Sequence, residues 1–158
     1  MGNIADCRVT VDIVVLKEEE ENISGKTLSL LLIKRGHDPF AGSYALPGGF
    51  LDDTDETLEE AAARELLEET GVKVAPSRLS NFGTYGDKGR DPRGRTVTGA
   101  FLIVLNDHES KHLSIQAGDD AREAAFFKIT QLPDLAFDHK KVIKDGLNYL
   151  KLSAGLAT

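Results

Sequence analysis

Residues 48–72 read GGFLDDTDETLEEAAARELLEETGV, and this stretch decides the fold. Its middle predicts a helix from about Thr57 to Thr70. Thr57 followed by Glu60 fits a capping box, and Gly71 fits the left-handed stop at the far end. At about 100° per residue, Leu58, Ala61, Ala62 and Leu66 share one arc, as a core-facing stripe should. Glu65 and Glu69 fall inside that same arc, with Glu68 at its edge, whereas Glu59 and Glu60 point elsewhere.

An ionised carboxylate on an apolar face costs free energy unless it is paired or bound to a cation. Two such groups at i, i+4 with a third adjacent repel one another, which raises their pKa values or demands a cation. Clustered oxygen ligands without His or Cys nearby suit a hard ion, Mg²⁺, with Mn²⁺ as the alternative. The alanines keep the helix slim, so it can lie close to Pro47-Gly48-Gly49, a loop able to offer a backbone carbonyl as a further ligand. The bland alternative is an acidic surface helix in which Arg64 pairs with Glu60 or Glu68.

The segment resembles the Nudix box, G-x5-E-x7-R-E-U-x-E-E-x-G-U with U a bulky aliphatic. Glu56, Arg64, Glu65, Leu66, Glu68, Glu69, Gly71 and Val72 match it in register. Gly49 stands seven residues before Glu56 where the pattern asks for six, so the DDTD loop carries one extra residue. The resemblance implies an α/β fold, the Nudix α/β/α sandwich with a mixed sheet between helices. It also implies that Glu65, Glu68 and Glu69 hold metal ions or position the attacking water. Arg64 would orient one of these glutamates, and Gly48 would lend its carbonyl. Metal ions held by carboxylates can neutralise bridging phosphates and activate a water, the two needs of pyrophosphate cleavage.

The flanking sequence fits one domain over residues 1–158. Residues 8–16 alternate β-branched and polar residues and predict a strand; 28–34 predict a second. Between them, the acidic run 17–27 reads as a solvated loop. A short extended piece is expected at Tyr44–Leu46, further strands around 79–85, 96–105 and 124–129, and a closing helix over about 138–152. The composition, 41% hydrophobic and 28% charged, is that of a soluble globular chain. A single cysteine, Cys7, excludes an internal disulfide and suits the cytoplasm. No leader or membrane span is evident, and the net charge of −7 argues against nucleic acid or anionic membranes as partners.

Within that acidic chain, residues 88–95 (KGRDPRGR) are the densest positive stretch. Arginines on a short loop suit a bidentate grip on phosphate oxygens; a solvated turn with Asp91 pairing an arginine is the plainer alternative. YGDKGRDPRGRTVTGAFL, AGDDAREAAFF (117–127) and LAFDHKKVI (135–143) resemble the ADP-ribose pyrophosphatase branch of the Nudix family. That resemblance implies ADP-ribose as the small-molecule nucleotide substrate, with AMP and ribose 5-phosphate as products. Arg90, Asp91, Arg93 and Arg95 become the substrate-binding candidates, and Asp119 or Asp120 the late carboxylate, as metal ligand or general base.

Asp138 is expected as the N-cap of the closing helix, with His139 in a structural role. Tyr44, Phe82 and Tyr85 are possible adenine-stacking aromatics, although strand aromatics are more often core. Other nucleotide substrates, and a non-catalytic ADP-ribose-sensing domain, stand as alternatives; a homodimer is left open.

Overall fold

The computed structural model describes residues 2–21 and 25–156. Its centre is strand β1 (Arg8–Glu21), whose residues alternate between two cores. Val11, Ile13 and Val15 face one side of the sheet, Val14 and Leu16 the other, and all are fully buried. A strand covered on both faces reads as a nearly continuous apolar run, which is what residues 11–16 are apart from Asp12. That one charged residue in the run matters for the site.

Strand β1 pairs in parallel with β6 (Thr96–Leu105) and antiparallel with β2 (Gly25–Arg35) and β4 (Gly48–Phe50). Strand β3 (Tyr44–Ala45) and β7 (Ala121–Lys128) both pair with β2, and β5 (Ser80–Tyr85) closes the other side on β6. The sheet is therefore mixed, as expected. Helix α1 (Leu58–Thr70) covers one face, where Ala61, Ala62 and Leu66 join Phe101 and Ile103. Helix α3 (His139–Leu156) covers the other through Val142 and Ile143, against Leu30, Leu32 and Leu102. A 3₁₀ turn (Pro76–Arg78) and the short α2 (Asp107–Lys111) complete the chain's described elements.

The acidic run was expected as a loop, but the strands extend through most of it. Glu18 pairs with Leu28, Glu19 with Thr27 and Glu20 with Lys26 in antiparallel register. Cations compensate the carboxylates: Lys26 meets Glu18 at 2.7 Å and Lys128 meets Glu21 at 2.8 Å. The hairpin tip, 22–24, lies outside the described residues.

Helix α1 starts as expected, with the Thr57 hydroxyl accepting from the Glu60 N–H at 3.1 Å. The return half of the capping box differs: the Glu60 carboxylate accepts from the Glu56 N–H rather than from Thr57. At the other end Gly71 adopts φ 76°, and its N–H reaches the Leu67 carbonyl. A side chain there would be strained and would also crowd the Ser114 carbonyl.

Candidate active site

Four segments converge where α1 meets the edge of β4. Gly48 N–H donates to the Glu69 carboxylate at 3.1 Å, and the Pro47 carbonyl accepts from Ile13 N–H at 2.9 Å. Gly49 lies so close to α1 that a Cβ on it would stand 2.5 Å from the Glu65 carboxylate. The loop after α2 is pinned to the end of α1: Gln116 N–H donates to the Thr70 carbonyl and Gly118 N–H to that of Glu69. A side chain at Gly118 would collide with the Glu68 carbonyl, so this glycine allows the close approach that brings Asp119 and Asp120 alongside α1.

A cavity of about 630 Å³ opens between these segments. Its acidic wall carries Glu65, Glu68, Glu69, Asp119 and Asp120; Arg35, Arg90, Asp91 and Arg93 contribute an opposite, basic side. The structure thus brings together most residues singled out in the sequence. Arg95 is the exception: its Nε donates to the Gly86 carbonyl at 3.1 Å, and it does not line the cavity. Asp91 lines the cavity but is spent on Arg93, which donates to both its oxygens at 3.1 and 2.8 Å. Arg90 is likewise engaged, forking onto Asp138 at 2.9 and 2.7 Å with its guanidinium almost fully buried. Asp138 precedes α3 as expected, but its carboxylate serves Arg90.

On the acidic wall Arg64 is the organiser. Its Nη1 donates to Glu65 at 2.8 Å and to Glu68 at 3.2 Å, and its Nη2 to the Phe50 carbonyl at 3.0 Å. Its strongest partner is Asp55, bound through Nε at 2.9 Å and Nη2 at 2.7 Å. The one-residue excess in the loop explains this choice. Counted forward from Gly49, the sixth residue is Asp55; Glu56 is in register only when counted back from Arg64. The Asp52–Asp55 turn, with Asp52 N–H on the Asp55 carboxylate and Asp55 N–H on the Asp52 carbonyl, tucks Asp55 inward.

Burial dominates the electrostatics of the glutamates. It pushes the Glu69 carboxyl up to about 8, helped by Glu65 and Asp12 and opposed by the Gly48 N–H. Burial also raises Glu65 against the pull of Arg64, with the Glu68 and Asp119 charges adding to the rise. Among the described residues no three acidic or His side chains form a ready-made ion cage. Glu65 and Glu68 are turned onto Arg64 and Glu69 onto Gly48. The donor set nevertheless fits a hard divalent cation: carboxylate oxygens, a nearby backbone carbonyl, and a buried acid that only a cation would stabilise in its ionised form.

Behind the site, Asp12 and His139 form a buried pair that sequence reading left as structural. The Leu46 N–H donates to His139 Nδ1 at 3.0 Å, which assigns the hydrogen to Nε2, 3.4 Å from the Asp12 carboxylate. Thr98 donates to the other Asp12 oxygen at 2.7 Å. Burial would raise the Asp12 pKa, but the His139 ring and Thr98 hold it below the ordinary value. This pair fixes Leu46 and, through it, the Pro47-Gly48-Gly49 loop.

None of Tyr44, Phe82 and Tyr85 lines the acidic cavity. Tyr44 packs edge-on to Phe127, and Tyr85 donates to Asp145. The aromatics that do line it, Phe50 and Phe137, were missed. Their signal was position alone: Phe50 follows Gly49, and Phe137 precedes Asp138-His139.

An acidic helix face opposed by arginines across one cavity defines a site for a phosphate-rich ligand that recruits cations. The chain belongs to the NUDIX family, whose domain model matches residues 7–146. It is 46% identical over 129 residues to the ADP-ribose pyrophosphatase of Methanocaldococcus jannaschii, an alignment covering 82% of this chain and 72% of that enzyme. It is also 32% identical to the ADPR responsive transcriptional repressor NtrR of Acinetobacter baylyi, spanning 86% of this chain and about half (51%) of that one. Among solved structures, a MutT/nudix family protein from Enterococcus faecalis superposes with TM-score 0.81 at 30% identity, covering 95% of this chain and 64% of that chain. The NUDIX domain of Shewanella oneidensis NrtR, solved with ADP ribose, superposes with TM-score 0.77 at 30% identity, covering 93% and 90%.

Proposed function

We propose that this Nudix domain hydrolyses the pyrophosphate bond of ADP-ribose, releasing AMP and ribose 5-phosphate, with Mg²⁺ as its ion. The observation that carries the reading is the single cavity in which Glu65, Glu68 and Glu69 face Arg35 and Arg93. Its size suits a ligand of nucleotide dimensions. The identity with the archaeal ADP-ribose pyrophosphatase supports the same substrate.

When bound, divalent ions would neutralise the diphosphate and lower the pKa of a water so that it attacks near neutral pH. Glu65, Glu68 and Glu69, with the Gly48 carbonyl, are the groups that would hold them. Arg64 keeps Glu65 and Glu68 at the cavity wall until the ligand arrives. Arg93, oriented by Asp91, and Arg35 bind phosphate oxygens; Arg90 holds its loop to α3 through Asp138. Asp119 is the late carboxylate we favour over Asp120. Its charge bears on Glu65, whereas the Asp120 carboxylate lies 3.4 Å from His37 Nε2. A reducing compartment, the cytoplasm, is the setting we propose from the lone Cys7. Among the described residues no helix is long and apolar enough to cross a membrane.

A second reading is ADP-ribose sensing without cleavage, favoured by the similarity to the NtrR repressor. Glu65→Gln separates the two. The enzyme reading expects turnover to fall by about 10²- to 10⁴-fold while ADP-ribose binding persists. Wild-type protein that binds ADP-ribose without turnover would favour the sensor.

A further inference from the structure

Phe50 and Phe137 line the cavity beside the acidic wall, and both carry a cation over their rings. Arg93 lies between them, its guanidinium carbon 5.1 Å from the Phe50 centroid and 5.7 Å from that of Phe137. Arg35 stands 5.0 Å from the Phe137 ring, so this wall alternates aromatic and guanidinium planes. Two of these groups are held by other contacts: Asp91 forks Arg93, and the Arg35 Nε donates to the Pro39 carbonyl at 2.8 Å.

The wall is also expensive to keep open. Phe50 is 39% exposed, with Leu51 and Phe40 similarly exposed at the same mouth. Phe137 adopts φ 51° and Phe40 φ 61°, and their rings meet edge-on at 4.8 Å. Left-handed backbone at a bulky residue costs free energy and persists where the surroundings enforce it, often at ligand sites. Here it aims Phe137 into the cavity rather than into the core.

We infer that Phe50 and Phe137 form the nucleobase subsite, with the faces of Arg93 and Arg35 completing a planar-stacking wall. The inference rests on the reading that a nucleoside diphosphate is cleaved here, and adds the direction in which it lies. Sugars and phosphates are polar and suit the carboxylate and arginine donors. The base alone presents flat faces that gain from aromatic and guanidinium cover. With the diphosphate over the glutamates and the base on Phe50 and Phe137, the ribose 5-phosphate end points towards Asp119 and Asp120.

Calorimetric binding of AMP and of ribose 5-phosphate to wild type, Phe50→Leu and Phe137→Leu tests this, alongside the KM for ADP-ribose. Leucine keeps apolar bulk without a π face, and Phe50→Ala is a second variant should Phe137→Leu melt early. The expected result is AMP affinity weakened about tenfold, with ribose 5-phosphate affinity unchanged and the loss of ADP-ribose hydrolysis mainly in KM. AMP affinity equal to wild type in the folded variants, or a selective loss of ribose 5-phosphate affinity, overturns the assignment. Weakened AMP binding in a protein that cleaves a different nucleoside diphosphate would keep the subsite and reject only ADP-ribose as substrate.

Discussion

Arg64 donates through Nε and Nη2 to both oxygens of Asp55, at 2.9 and 2.7 Å, and the same guanidinium reaches Glu65 and Glu68. An aspartate outside the helix thereby sets the angle at which two catalytic candidates face the cavity. Its neighbour Glu56, the acidic residue in register with the box, spends its N–H on Glu60.

The consequence is an inversion of what the motif implies. Asp55→Asn should cost activity about tenfold or more and destabilise the fold by about 1 to 3 kcal/mol, because one side of a charged fork is lost. Glu56→Gln should leave both nearly unchanged. Steady-state rates and melting temperatures of the two variants check this directly.

The pair also makes stability depend on pH. Hydrogen bonds from Arg64 hold the Asp55 pKa below its ordinary value of 3.8. A folded-state pKa lowered in this way gives stability that is complete above the unfolded value and is lost as pH falls through the folded one. The melting-temperature gap between wild type and Asp55→Asn should therefore stay level from neutral pH to about 5 and close below about pH 4.

The two adjacent glycines should respond differently to alanine. At Gly49 the new methyl meets only the flexible end of Glu65, so the carboxylate is displaced and the fold is spared. Gly49→Ala should lose most activity with a melting temperature close to wild type. At Gly48 the methyl meets the Val11 carbonyl in the β1–β4 ladder, which cannot yield. Gly48→Ala should lower the melting temperature by several degrees, about what 1 to 3 kcal/mol of overpacking produces.

His139 offers a test of loop positioning. In His139→Asn the amide oxygen can still accept from Leu46, but the short side chain no longer reaches Asp12. In His139→Ala both the Leu46 N–H and Asp12 lose their partner within a buried network. We expect the alanine variant to be less stable by about 1 to 3 kcal/mol and the asparagine variant to recover part of that loss, measured by urea unfolding.

The legible part of this fold was the part with periodicity. Residues 11–16 and the α1 stripe gave away the sheet and one helix, because burial on both sides of β1 and on one side of α1 leaves a pattern in the chain. The glutamates were found for the same reason, as charges on a face that should have been apolar. What stayed hidden depends on contacts across sequence. Glu18 to Glu21 look solvated until Lys26 and Lys128 are placed beside two of them. Arg90 looks like a phosphate ligand until Asp138, 48 residues away, is seen to hold it. Phe137 could not be told from a core residue, since its orientation follows from a backbone angle and not from spacing.

The most direct test of the account is incubation of the wild-type protein with ADP-ribose and Mg²⁺, with products identified by mass spectrometry beside a panel of other nucleoside diphosphate compounds. The account predicts AMP and ribose 5-phosphate, faster than products from the rest of the panel, and no reaction once the metal is chelated. ADP-ribose recovered intact after binding to the protein in Mg²⁺ would contradict it.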